Sequence, residues 1–330
     1  MKVSNSTIES GPYILQRDPI VLVCAADDKY AMPLAVTVRS ALANLASYRK
    51  ILLFIIDGGI TNQNKRKILR SLSSEQCEVK WIPKPAETIH DEVVQVNTAE
   101  AASHISIATW YRLLIPELLP QQFTKAIYLD CDLIVTENLG KLWDIDIEDN
   151  YLLAVTCPEA FGAYVSSPRR LINWKELGFS EDCKYFNAGV LVLNLVKWRS
   201  DNMCSKALNY IAHNQKYIRW VDQDVLNAVI AGQWGELDPR WNLMEPKDMP
   251  PEKVNNAFII HFTSAGKPWI AVEKYLAKDL FYYYLDKTNW SGYRHTLIQR
   301  VWRRLRKETN KFISPLLSKI KGEAKVVNLT

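Results

Sequence analysis

The 330-residue chain is 48% hydrophobic and 23% charged, with 12 glycines and 15 prolines, which excludes collagen-like, low-complexity and wholly disordered chains and suffices for a full core. Its longest apolar runs, Ile20 to Ala26 and Ile51 to Ile56, are strand-sized, so no spanning helix is predicted, and no apolar stretch of signal-peptide length opens the chain. The formal charge of +5 is uneven: residues 294–330 hold ten Lys or Arg against Glu308 and Glu323, which leaves the rest mildly acidic.

In chain order, Ile20 to Ala25 reads as a strand ending at Asp27-Asp28, followed by a helix over Met32 to Leu45. A strand over Ile51 to Ile56 ends at Asp57-Gly58-Gly59, a helix spans Asn62 to Leu72, and a third strand over Glu78 to Ile82 stops at Pro83. Strand-helix alternation with turn chemistry at each strand's carboxyl end predicts right-handed crossovers and a mostly parallel, Rossmann-like sheet flanked by helices. Further on, a helix is expected over Ser103 to Leu114, a strand over Ala126 to Leu129 and another over Gly189 to Leu195. Helices near Trp198 to Gln215 and Asp222 to Ala231 precede a last strand over Ala257 to Phe262. The division that follows is an extension over 1–17, one α/β domain over 18–285 whose later elements extend the same sheet, and a basic aromatic tail over 286–330. Six cysteines, scattered without C-x-x-C spacing, read as small buried hydrophobes in a reducing, cytoplasmic setting.

No G-x-G-x-x-G or G-x-x-x-x-G-K-[ST] loop follows the first strand, so a glycine-rich turn is not how this sheet holds a diphosphate. Three Asp-x-Asp pairs occur, Asp130/Asp132, Asp144/Asp146 and Asp222/Asp224, but only the first closes an apolar strand, where a parallel sheet forms its ligand crevice. Two carboxylates there suit Mn²⁺ or Mg²⁺ with positions open for phosphate oxygens. A second strand end delivers His261, then the turn Thr263-Ser264-Ala265-Gly266, then Lys267 six residues after the histidine. An imidazole completes such a metal site, and backbone amides with an ammonium neutralise a leaving diphosphate.

These stretches resemble bacterial glycosyltransferase family 8, close to its lipopolysaccharide galactosyltransferases. The matching segments are Ala25 to Tyr30, Ile105 to Leu113, Tyr128 to Asp132, Tyr185 to Val190, Asp222 to Asp224 and His261 to Trp269, in family order across about residues 20 to 270. The resemblance implies a GT-A fold that moves galactose or glucose from a UDP-sugar to a glycan or lipid-linked saccharide with retention of configuration. It places Ala25, Asp27, Lys29 and Tyr30 around uracil and ribose, and Mn²⁺ on Asp130, Asp132 and His261 beside Cys131. Ser264 and Lys267 fall at the diphosphate, and Arg112, Asn187, Asp222 and Gln223 fall around the donor sugar. Lys29 stands where the family commonly has Asn, and Ser264 where it usually has Gly. Gln223 occupies the position a carboxylate nucleophile would need, and an amide is a poor nucleophile, so front-face substitution within an ion pair is favoured over double displacement.

In the tail, Leu297, Ile298, Val301, Trp302 and Leu305 recur at helical spacing with arginines between them. This pattern reads first as an amphipathic helix lying in an anionic membrane interface at the inner face of the membrane. A helix packed on the body comes second, and nucleic-acid binding is set aside because the body lacks a basic groove. Competing readings are a sugar-nucleotide pyrophosphorylase, which would need a glycine-rich basic loop where Asp27-Asp28-Lys29 stands, and an inactive, membrane-tethered UDP-sugar-binding protein.

Overall fold

The computed structural model describes residues 18–85, 106–230, 232–244, 249–263, 266–270 and 276–294. The expected N-terminal extension, Ser264 and the amphipathic part of the tail lie outside these residues. Strands β1 (Ile20–Ala26) and β2 (Ile51–Asp57) form where apolar, β-branched runs bury both faces, as the middle of a parallel sheet requires, and β3 (Cys77–Ile82), with Glu78 and Lys80 exposed, lies at the sheet's edge. Helix α1 (Ala31–Ala43) follows β1 through a tight turn that Asp27 caps by accepting the Tyr30 N–H, and α2 (Asn62–Ser71) is capped by Thr61.

With β4 (Lys125–Leu129), β6 (Leu152–Thr156), β7 (Phe186–Asn194) and β8 (Trp234–Glu236), these strands make a seven-stranded sheet in the order β3-β2-β1-β4-β7-β6-β8. Every pairing is parallel except the two made by β7, so β7 alone runs against the rest. That reversal positions the site. The start of β7 is delivered to the edge where β1 and β4 end, and the Asp130 N–H donates to Gly189 O at 2.8 Å.

The later elements do not all extend this sheet, as the sequence had suggested. β5 (Leu133–Val135), β9 (Leu243–Met244) and β10 (Ile259–His261) form a separate three-stranded sheet in the order β5-β10-β9. Helix α1 lies between the two sheets, which explains why almost every one of its side chains is buried. A second, smaller core forms where Met32, Val36, Ile134, Phe262, Trp269 and Phe281 meet, roofed by the helix Lys278–Leu285. Beyond that helix, Trp290 packs on the main core with Lys67 over its ring, and Arg294 pairs with Asp286.

Two helical expectations change form. Ile107–Leu114 is a 3-10 helix, tightened by Ser106 accepting the Ala108 N–H. The long helix expected from Trp198 to Gln215 is two, α3 (Leu195–Ser200) and α4 (Met203–Asn214), separated where Asn202 takes a left-handed conformation. None of the six cysteines is disulfide-bonded, and among the described residues no helix is long and apolar enough to cross a membrane.

Candidate active site

The ends of β1 and β4, the start of β7, the 3-10 helix Ile107–Leu114, helix α5 (Val221–Ile230) and the end of β10 converge on one cleft of about 1140 Å³. Ala25, Asp27, Tyr30, Arg112, Asp130, Cys131, Asp132, Asn187, Asp222, Gln223, His261 and Lys267 all line it. Lys29 is exposed and does not, and Ser264 lies outside the described residues.

Asp130, Asp132 and His261 each offer a ligand atom within 4.8 Å of the others. The Asp-Cys-Asp turn is held by Thr37 of α1, whose hydroxyl lies 3.0 Å from Cys131 O and 2.8 Å from Leu133 O and accepts from the Leu133 N–H. Cys131 commits its thiol to Ala25 O at 3.3 Å, and its neighbour Cys24, burial and the flanking acids push its ionisation far up; it is a packing side chain, not a thiolate ligand. Asp132 is held well below the ordinary carboxylate range: burial opposes ionisation, but Lys267 and His261 outweigh it. Lys267 is itself buried and donates to Asp132 and to Phe262 O.

His261 turns one ring nitrogen, Nδ1, to Asn242 Oδ1 at 2.9 Å, which leaves Nε2 at 3.3 Å from Asp132 and 3.7 Å from Asp130. An amide oxygen only accepts, so Nδ1 carries a proton, and Nε2 is the ring nitrogen turned to the carboxylates, the one a metal ion would take once it is deprotonated. The donor set therefore fits a hard divalent cation. The space beside it is kept by Gly189: a Cβ there would lie 2.2 Å from His261 Cε1 and 2.8 Å from Asp130 Oδ2. Replacing Asn242 with Leu should free the ring and lower divalent-cation affinity by about 10- to 100-fold, read as a shifted metal titration in a protein whose melting point falls, because Asn187 Oδ1 and His261 Nδ1 lose a buried partner.

The opposite wall is a chain of fixed polar groups. Arg112 is buried and stacks on the Tyr128 ring at 4.6 Å. It donates to Thr109 O, Thr109 Oγ1, Ala188 O and Asp130 Oδ1, and its Nε lies 2.8 Å from Asp222 Oδ2. Its two carboxylate partners outweigh its desolvation, so it stays charged. Asp222 also accepts from Thr109 Oγ1 at 3.2 Å. Gln223 Oε1 accepts from Asn187 Nδ2 at 2.9 Å and from the Ala188 N–H at 3.1 Å, while its Nε2 donates to Tyr185 OH. Asn187 Oδ1 in turn accepts from Asn242 at 2.8 Å and from the Gly189 N–H at 2.9 Å, joining the sugar-side wall to the histidine.

Helix α5 opens at Val221, whose φ of 45° is left-handed, a conformation that a β-branched residue takes only under strain. The kink sends Trp220, Asp222 and Gln223 together into the cleft. Asp224, the other half of that Asp-x-Asp pair, faces away from it: buried, it accepts from Tyr185 OH and from the Arg219 and Trp220 N–H groups. Thr37 and Asn242 are supporting residues that the sequence did not single out and that lie in no motif; Tyr185 opens the Tyr185 to Val190 segment, but nothing in the sequence marks a role of its own.

Residues 21–273 match the model of glycosyl transferase family 8. The chain is 33% identical to General stress protein A of Bacillus subtilis, covering 84% of this chain and 97% of that one. It is 30% identical to a putative glycosyltransferase of Haemophilus influenzae over 75% and 72% of the two chains. Among solved structures it resembles the galactosyltransferase LgtC, crystallised with donor and acceptor sugar analogues, at 26% identity and a TM-score of 0.69, covering 82% of this chain and 96% of that one. With its mostly parallel sheet and its cleft at the carboxyl edge, the chain belongs to glycosyl transferase family 8 and is a glycosyltransferase of GT-A-like fold.

Proposed function

We propose that this protein is a retaining hexosyltransferase that moves galactose or glucose from UDP to a saccharide or glycolipid acceptor, assisted by Mn²⁺ or Mg²⁺ on Asp130, Asp132 and His261. The observation that carries this reading is the gathering of those three side chains at the end of β4, directly across from the Arg112–Asp222 and Asn187–Gln223 pairs. Asp27 and Tyr30 line the part of the cleft beside β1, where a uracil and ribose would lie. A bound cation would neutralise the charge that builds on the departing diphosphate. Lys267 adds a fixed positive charge beside it, with two of its three ammonium hydrogens already committed.

Gln223 is pinned on both amide atoms and is not nucleophilic, so it orients the sugar and faces developing positive charge with its carbonyl dipole. Asp222 and Arg112 hold sugar hydroxyls. Because no carboxylate occupies the Gln223 position, the acceptor attacks from the face the diphosphate leaves. The basic tail supplies peripheral attachment to an anionic membrane surface, where a glycolipid acceptor resides.

Incubating the protein with a panel of UDP-sugars should release UDP from UDP-galactose or UDP-glucose in Mn²⁺ and from neither in chelator. Metal-independent release, or release from no UDP-hexose with any acceptor, contradicts the assignment.

The pH dependence follows from Asp222. Burial raises its carboxyl to about 6 from 3.8, Asp130 adding to the effect and Arg112 opposing it. Its folded value exceeds its unfolded one, so its contribution to stability is full below about pH 4 and is lost as pH rises through about 6. Activity runs the other way, because only the ionised form pairs with Arg112: kcat should fall as pH drops below about 6. The Asp222→Asn variant should lose most of its kcat and that acid limb with it.

A further inference from the structure

Past the donor side of the cleft, the loop between β6 and β7 contributes Phe161, Gly162, Arg169 and Arg170 to its wall, and Trp220 closes that end. Arg170 is only 5% exposed. Its guanidinium stacks on the Tyr185 ring at 4.5 Å and faces the Trp220 ring at 5.6 Å, and its Nε donates to Gly162 O at 3.0 Å. Both terminal nitrogens, with four N–H groups between them, have no hydrogen-bond or ion-pair partner among the described residues. The nearest buried acid, Asp224, gives both oxygens to Tyr185 OH and to the Arg219 and Trp220 amides. Glu159, on the same rim, is exposed and makes no ion pair with Arg170.

The side chain is buried but its fork opens onto the cleft, and planar carboxylates and phosphates fit that fork with two parallel bonds. The loop is built to keep Arg170 there. Gly162 has φ +91°, and a Cβ on it would lie 2.9 Å from Ser167 Cβ and 3.1 Å from Arg170 Nε. Trp220 Nε1 and Arg219 Nη1 tie the loop to the start of α5 through Arg169 O and Pro168 O. Beside the fork, Phe161 and Trp220 are 42% and 37% exposed and offer aromatic faces to a sugar ring. Tyr185 connects this end to the reaction centre: Arg170 covers its ring, and its hydroxyl accepts from Gln223.

We propose that Arg170 captures an anionic group of the acceptor, so that the acceptor is a phosphorylated or carboxylated saccharide rather than a neutral one. The inference rests on the hexosyltransferase reading given above. Galactose 6-phosphate, galacturonate and galactose, titrated by saturation-transfer NMR into the full-length protein holding UDP and Mn²⁺, test it. The phosphate or the uronate should bind about tenfold or more tighter than galactose, with the preference weakening in high salt, and whichever wins identifies the anion. Arg170→Gln should erase that preference and leave UDP affinity as it was, and Arg170→Lys, which keeps charge without the fork, should restore only part of it. Equal binding of the three sugars by the wild-type protein overturns the proposal, as does a preference that survives Arg170→Gln. An Arg170-dependent preference for UDP-glucuronate over UDP-glucose would move the anion to the donor and equally refute it. Failure of UDP itself to bind would be the separate failure of the nucleotide-sugar reading.

Discussion

Replacing Gly189 with Ala should reduce transfer by about 100-fold or more while the protein remains folded. The backbone at Gly189 is ordinary extended strand, paired with β4, so the residue is not needed for its conformational freedom. It is needed for room. A methyl group at this position would come within 2.2 Å of His261 Cε1 and 2.8 Å of Asp130 Oδ2, and the Asp130 N–H, which donates to Gly189 O, holds β7 against this edge. The histidine must therefore rotate out of line with the two carboxylates, breaking its bond to Asn242. Overpacking of this kind costs about 1–3 kcal/mol, so the midpoint of a urea transition should fall modestly. Mn²⁺ affinity and turnover should collapse together. Near-normal turnover in the Ala variant would mean that His261 has no part in the chemistry.

The largest expected loss of stability is that of Arg112→Ala. Arg112 is the sole described cation in contact with Asp222, and it also pairs with Asp130. Removing it leaves one fully buried carboxylate and one partly buried one without their partner, strips a donor from Ala188 O and opens a void over the Tyr128 ring. Breaking a buried pair from one side costs about 3–5 kcal/mol, and the loss should be read in chemical denaturation at neutral pH. It should shrink below pH 6, where Asp222 takes up a proton and no longer needs a counter-charge. A loss of less than about 1 kcal/mol would indicate a solvent-screened pair.

The parts of this molecule that could be read from its sequence are those fixed by local patterning. β1 and β2 are continuous apolar runs closed by acids, β3 alternates Glu78 and Lys80 with apolar residues before Pro83, and Asp27 and Thr61 cap the turns into α1 and α2, so order and direction follow from the chain alone. The reversal of β7 does not: its residues are as apolar as those of a parallel strand, and only the 29-residue connection from β6 sets its direction. The short β10 looked like one more strand of the main sheet, because three residues carry no record of which neighbour they pair with. The break before α4 depends on Asn202 accepting a left-handed conformation in a sequence of otherwise ordinary helix formers.

The candidate site divides along the same line. Asp130, Asp132 and His261 stand at strand ends, where acids and imidazoles draw notice, and the fold brings them together. Asn242 lies 19 positions before His261 and meets its ring only because β9 pairs with β10. Thr37 is one hydroxyl in a buried helix, visible as a support for the Asp-Cys-Asp turn only once α1 is seen between the two sheets. Arg170 is an arginine in an irregular loop, and its significance lies in what it fails to contact. In each case the signal is tertiary: a partner, or a missing one, supplied by a distant part of the chain.

The central claim is that Asp130, Asp132 and His261 hold a divalent cation against the diphosphate of a UDP-sugar. Calorimetric titration of UDP into the protein, with Mn²⁺ and with chelator, for the wild type and for Asp132→Ala, tests it most directly. The account predicts UDP affinity about 100-fold higher with Mn²⁺ in the wild type, and no metal effect in the variant. Equal UDP affinity with and without metal in the wild type, or a metal effect that survives loss of Asp132, would contradict it.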